Sequence, residues 1–218
     1  ASISDLLDMI EHIRAVTGKP CGFKMVLGDT EWLDEFCESI VERGVECAPD
    51  FITLDSADGG TGAAPMPLMD SVGLPLRESL PILVNKLMAH DLRDRVRVIA
   101  SGKLINPTDV AAALCMGADF VVTGRGFMFA LGCIQALQCN KNTCPTGITT
   151  HNPDLQRGLV PKVKADRVAN YHDHLVHEVE MIAHSCGVTE PRKLKRKHCA
   201  IVVEGSRSIP LNILYPEY

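Results

Sequence analysis

Apolar residues recur along this chain in two alternating rhythms. Leu6, Leu7, Ile10 and Ile13 share one face at helical spacing, behind a Ser2–Asp5 capping box and ahead of Gly18 and Pro20, which end the helix. A short strand follows near residues 21–27. Thr30 is placed to cap a second helix that turns Leu33, Phe36, Cys37, Ile40 and Val41 inward and stops at Gly44. The next strand, 51–55, runs into a loop rich in Gly and Ala over 56–65. A helix lies within 76–90, with Pro81 marking either a kink or its first turn. A strand over 96–101 precedes Asn106, Pro107 and Asp109, which open a helix that closes at Gly117. The last strand of the series covers 120–123.

The order β-α-β-α-β-α-β, with one orientation throughout, predicts parallel strands covered on both faces. The fold class expected is α/β. Four such units amount to half of a (β/α)8 barrel, which needs about 250 residues when complete. From pattern alone, a doubly wound open sheet is the alternative. A half-barrel leaves two strand edges unpaired and calls for a partner, a second copy or the other half. Beyond the strands come an apolar run over 126–137 and a loop rich in Cys, Asn, Thr and Pro. A long amphipathic helix over 163–186 then carries Leu175, Val179, Ile182 and Cys186, ahead of a basic run, 192–197, and a short apolar end. The chain divides accordingly into a half-barrel, 1–132, a cysteine loop, 133–155, and a helical extension of the same domain, 156–218.

Composition narrows the function. With 218 residues, 46% of them hydrophobic, the chain can bury a sizeable single core. A net charge of −5 argues against a nucleic-acid partner. No stretch of about 18 uninterrupted apolar residues exists, so no membrane span is expected in this segment, and residues 1–8 lack the pattern of a signal peptide. The nine cysteines are odd in number and mostly sit inside apolar patterns, which suits a reducing, cytoplasmic compartment better than a disulfide framework. Cys37 and Cys115 read as small core hydrophobes.

Four segments carry chemistry. Asp58-Gly59-Gly60-Thr61-Gly62 directly follows a strand, where three glycines let the backbone approach a ligand closely. Ser101-Gly102-Lys103 and Thr123-Gly124-Arg125-Gly126 follow the next two strands. If these are the last two strands of a barrel, the N–H groups of Gly102 and Gly124 can cradle a phosphate, and Lys103 or Arg125 can add charge-assisted bonds. Lys24, in an otherwise apolar strand, either meets a cofactor at the barrel mouth or reaches solvent at the strand's end; a cation there would stabilise a reduced flavin ring. Cys133, Cys139 and Cys144 are too far apart for one helical face, and Asn140, Asn142, Pro145 and Gly147 break the chain between and after them. Three thiolates from one loop suit a metal centre, and three ligands match a cluster of three irons. Zinc or a four-iron cluster would want a fourth ligand, for which His151 is nearest. His172, His174, His177 and His184 on the long helix, and the basic run, read as solvated surface.

In order and spacing, Lys24, the segment from Asp58 to Pro65, Ser101-Gly102-Lys103 and the three cysteines resemble the FMN-binding domain of the glutamate synthase family over residues 1–155. The tail, with Arg207 to Tyr215, resembles the shorter, single-polypeptide members. The resemblance implies the carboxy-terminal half of a (β/α)8 barrel. It places Lys24 beside FMN and the 2-oxoglutarate site, and makes Lys24 and Asp58 the catalytic side chains. It lays Gly59, Gly60, Thr61 and Gly62 over the flavin and puts the FMN phosphate on the turns of Ser101, Gly102, Lys103, Gly124 and Arg125. It assigns Cys133, Cys139 and Cys144 to a [3Fe–4S] cluster. The activity implied is reductive formation of L-glutamate from 2-oxoglutarate through 2-iminoglutarate, with an electron-donor protein as a possible partner. Two positions depart from the pattern. The family usually has Asp-Gly-Gly where this chain has Ser101-Gly102-Lys103, and Ser-Gly-His where it has Asp55-Ser56-Ala57. These departures also admit a non-catalytic module that keeps only the phosphate cup.

Overall fold

The computed structural model describes residues 2–58 and 66–216. Helix α1 (Ile3–Thr17) opens on the expected capping box, with Asp5 N–H donating to Ser2 Oγ and Ser2 N–H to Asp5 Oδ2. It leads into β1 (Gly22–Val26), α2 (Glu31–Arg43), β2 (Phe51–Asp55), α3 (Leu76–Ala89), β3 (Arg97–Ser101), α4 (Pro107–Met116), β4 (Phe120–Val122) and α5 (Gly124–Leu131). The four strands form one parallel sheet in the order β1-β2-β3-β4. This is half of a (β/α)8 barrel.

The register separates the two sheet faces. Phe23, Met25, Ile52, Leu54, Val98, Ala100 and Val121 share the face on which the helices pack, and they join the core there with Phe36, Ile40, Leu80, Leu83 and Leu87. Phe23 meets Phe36 edge-on at 5.5 Å, and Trp32 stacks on Phe36, which seats α2 on β1. Lys24, Val26, Thr53, Asp55, Ile99, Ser101, Phe120 and Val122 line the opposite, interior face. The expectation that both faces are covered fails here: Val26, Phe120 and Val122 remain 45–48% exposed, because no strand among the described residues closes over them.

Asp50 pins the amino ends of the strands. Its carboxylate accepts from Cys21 N–H at 2.7 Å, Arg14 Nε at 3.0 Å and the Arg95 guanidinium at 3.0 Å. Burial opposes its ionisation, but the Cys21 amide and then the two guanidinium groups outweigh that and hold its pKa below the ordinary 3.8. Since the folded pKa is the lower one, this stabilisation is complete above the unfolded value and drains away as pH falls through the folded one. Asp50→Asn should therefore cost about 2 kcal/mol at pH 7. Its gap from the parent protein should narrow below about pH 4, measured as urea midpoints across a pH series.

Several local expectations change. Thr30 makes no capping bond to α2; Asp29 does, accepting from Glu31 N–H at 2.9 Å, because Thr30 already has helical angles. Helix α3 begins at Leu76, so Pro81 sits in its interior. After the cysteine loop come α6 (Pro153–Gln156) and α7 (Pro161–Ser185), and α7 packs across α4 and α5. The tail holds an antiparallel hairpin, β5 (Ala200–Val203) and β6 (Arg207–Pro210), ahead of α8 (Leu211–Leu214). The basic run is only partly solvated: Arg196 is 2% exposed and donates to the carbonyls of Tyr215 and Pro216, which ties the chain end to the core. The four α7 histidines are exposed, as expected. Among the described residues no helix is long and apolar enough to cross a membrane.

Candidate functional site

All four strands run the same way, so their carboxyl ends share one rim, the end where barrels place ligands. Pairing of Ser101 with Val122 sets the turns after β3 and β4 side by side. Gly102 has φ 149°, and a Cβ there would overlap Ser56 Oγ, so only glycine fits. Lys103 follows at φ 48°, a left-handed conformation that costs a side chain about 1 kcal/mol. Its ammonium pairs with Asp70 at 2.7 Å. Bonding to Lys103 first, and then the nearby Arg125, keeps the Asp70 carboxyl below its usual range. Asp70 thus pairs with the cation of the β3 turn and feels the charge of Arg125 on the β4 turn, a role nothing in its sequence surroundings signals.

Gly124 begins α5 with open space where a Cβ would stand. Thr123 precedes the helix but makes no side-chain capping bond to it. Its hydroxyl lies instead 3.1 Å from Tyr171 Oη on α7, which donates to Ile105 O at 2.7 Å. Lys24 lies on the interior face and pairs with Asp55 Oδ2 at 2.6 Å, so it points toward the barrel centre near the rim. Asp58 Oδ2 accepts from Leu76 N–H at 2.9 Å and anchors the first turn of α3. Asp58, Arg77, Gly102, Lys103 and Tyr215 are among the residues around a cavity of about 480 Å³ behind the β3 turn. Gly59, Gly60, Thr61 and Gly62 lie outside the described residues.

The cysteine loop breaks as its spacing demands. Gly132 ends α5, and Gln135, Leu137 and Asn142 all take left-handed angles. Cys144 is buried, with Sγ 3.3 Å from Thr146 Oγ1. Burial raises its pKa, but the Thr146 hydroxyl and the Thr149 backbone outweigh this and bring it to about 6. Cys133 and Cys139 are half-buried, and none of the three is in a disulfide. Among the described residues no three His, Cys, Asp or Glu side chains gather closely enough to hold a metal ion, so the three sulfurs do not converge and His151 does not join them.

Four parallel βα units, with two consecutive glycine turns at their rim, define a half-barrel of the ligand-binding α/β class. Residues 1–189 match the family model described as the conserved region in glutamate synthase. The chain belongs to the glutamate synthase family. It is 40% identical to the glutamate synthase large subunit-like protein YerD of Bacillus subtilis, over 98% of this chain and 40% of that protein. It is 30% identical to an archaeal-type glutamate synthase [NADPH] of Thermotoga neapolitana, over 98% of this chain and 41% of that one. The chain thus spans about two fifths of the length of these curated relatives. In fold it is similar to the recombinant flavin-binding domain of baker's yeast flavocytochrome b2, with a TM-score of 0.52 and 20% identity over 86% of this chain and 36% of that one.

Proposed function

We propose that this chain is the phosphate-side half of a flavin site in a glutamate synthase-type oxidoreductase, which forms L-glutamate from 2-oxoglutarate through 2-iminoglutarate with FMN and a [3Fe–4S] cluster. The observation that carries this reading is the adjacent pair of rim turns at Gly102 and Gly124 in a chain of this family. They offer backbone N–H groups on a surface where Gly102 leaves no room for a side chain and Gly124 faces open space. Lys103, paired with Asp70, and Arg125 supply the positive charge an FMN phosphate needs. When bound, FMN supplies hydride transfer and the cluster one-electron transfer.

Lys24, held by Asp55 on the interior face, is placed to meet an anionic group of the flavin or a substrate carboxylate. Asp58, the other proposed catalytic side chain, also anchors the first turn of α3 through Leu76. The donor chemistry of Cys133, Cys139 and Cys144 fits a cluster: three reduced thiols on one loop, with the Cys144 thiol readily ionised. Binding would have to draw Cys133 and Cys139 toward Cys144. Reduced cysteines also suit a cytoplasmic location, and the proposed redox chemistry calls for an electron-donor protein as partner.

The interior face requires completion. Exposed Val26, Phe120 and Val122 there, and exposed Met9, Ile13 and Val16 on α1, form apolar surface that a second half-barrel would cover. The greater length of the relatives supports a source for it. The chain alone should therefore show little or no turnover of 2-oxoglutarate. The departure at Lys103 favours one second reading, a flavin-binding module without redox chemistry. Flavin and iron analysis of the intact protein, purified without oxygen, tests both. Stoichiometric FMN and iron, with a paramagnetic signal on oxidation, are expected. FMN without iron or turnover selects the second reading, and absence of flavin from the intact protein defeats both.

A further inference from the structure

The two rim turns belong to different βα units, and a phosphate can be held by both only if their separation is set to a fraction of an ångström. The structure contains a side chain that spans them. Tyr171 lies midway along α7 and faces the rim, its ring edge-on to Phe127 of α5 at 5.1 Å. Its hydroxyl donates to the carbonyl of Ile105, three residues beyond Gly102, at 2.7 Å. The same oxygen lies 3.1 Å from Thr123 Oγ1, directly before Gly124. A carbonyl cannot donate and a tyrosine has one hydroxyl proton, so the Thr123 hydroxyl is the donor in the second bond. The order is Thr123 to Tyr171 to Ile105, one oxygen joining the turn after β4 to the turn after β3.

Two neighbouring features depend on this link. A methyl group at Gly126 would overlap the Tyr171 hydroxyl and come within 2.7 Å of Thr123 Oγ1, so the second glycine of Thr123-Gly124-Arg125-Gly126 makes room for the tyrosine rather than for a ligand. Thr123, engaged with Tyr171, makes no side-chain cap on α5, which is the condition for an anion at that helix start. We propose that Tyr171 is a positioning residue: it holds the two turns at the spacing at which both can bind one phosphate, without touching the ligand. This rests on the reading of the rim turns as the FMN phosphate cup.

The test compares FMN with riboflavin, which lacks the phosphate, in the intact protein and its Tyr171→Phe variant, by titration with fluorescence detection. The variant should bind FMN about tenfold more weakly. Its riboflavin affinity and thermal midpoint should stay close to those of the parent. Thr123→Val, which removes the same link from the other side, should give a similar loss, and the double variant should lose little more than either single one. If the parent does not prefer FMN to riboflavin, the phosphate-cup reading itself fails. If the parent prefers FMN and Tyr171→Phe keeps that preference, or weakens both flavins equally, Tyr171 is not a positioning residue. Should Tyr171→Phe fail to fold, Thr123→Val decides by the same ratio.

Discussion

Gly102→Ala should leave the intact protein with about a hundredfold weaker hold on FMN and a thermal midpoint lower by roughly 10 °C. The new methyl would overlap Ser56 Oγ and stand 3.2 Å from Ser56 Cβ and 3.6 Å from Leu76 Cβ. Ser56 and Leu76 are both buried, and Leu76 N–H is held by Asp58, so neither has space to retreat. Backbone strain at φ 149° adds to the crowding. Each of the two effects is worth about 1–3 kcal/mol. Any relief must come from movement of the turn itself, which carries the N–H proposed to bind the phosphate. Ser56→Gly in the same molecule should recover part of both losses, since it removes the atoms that the methyl meets. Flavin content after gel filtration, together with calorimetry, measures the effect; unchanged flavin retention in the single variant would remove Gly102 from the cup.

The second large effect should come from Cys144→Ser. Iron should fall to background and the paramagnetic signal of the oxidised protein should vanish, while FMN stays bound. A serine hydroxyl does not ionise near neutral pH, whereas the Cys144 thiol does so readily in its pocket of Thr146 and the Thr149 backbone. FMN should persist because the proposed phosphate cup lies on the β3 and β4 turns rather than on the cysteine loop. Cys37→Ala is the contrast. Burial, reinforced by Asp34, pushes the Cys37 thiol up to about 12, and it packs as a core hydrophobe on the inner face of α2. That variant should keep its iron and lose stability alone. Iron retained at full stoichiometry in Cys144→Ser would exclude Cys144 as a ligand.

The elements most legible in the sequence were those decided by near neighbours. The Ser2–Asp5 capping box and the Asn106-Pro107 helix start stand where their side chains predict. Gly18 and Gly117 close their helices in left-handed conformations, as a residue without Cβ allows. The strand order follows from the repeated βα alternation, since short right-handed crossovers leave adjacent parallel pairing as the simple outcome. The miscast details have local causes of another kind. Thr30 lost the cap to Asp29 through backbone angles that sequence does not display. The β5–β6 hairpin leaves no clear alternation in the sequence, because its strands are only four residues each. The basic run reads as solvated, yet the tail folds back to take the Arg196 guanidinium into the core.

The order and direction of the four βα units, the glycines at the rim, the broken cysteine loop and the family were determined by the sequence itself, because periodicity, capping and glycine's freedom at φ act within a few residues. Tertiary structure alone decided which face Lys24 occupies, that Asp58 anchors α3, that Asp70 pairs with Lys103, and that the three cysteine sulfurs stand apart. It also decided that Tyr171 would join Thr123 and Ile105 across 48 and 66 residues of chain. The physical reason is one of range. A hydrogen bond or ion pair between distant segments leaves no period in the sequence, and exists only once packing has brought its two ends within about 3 Å.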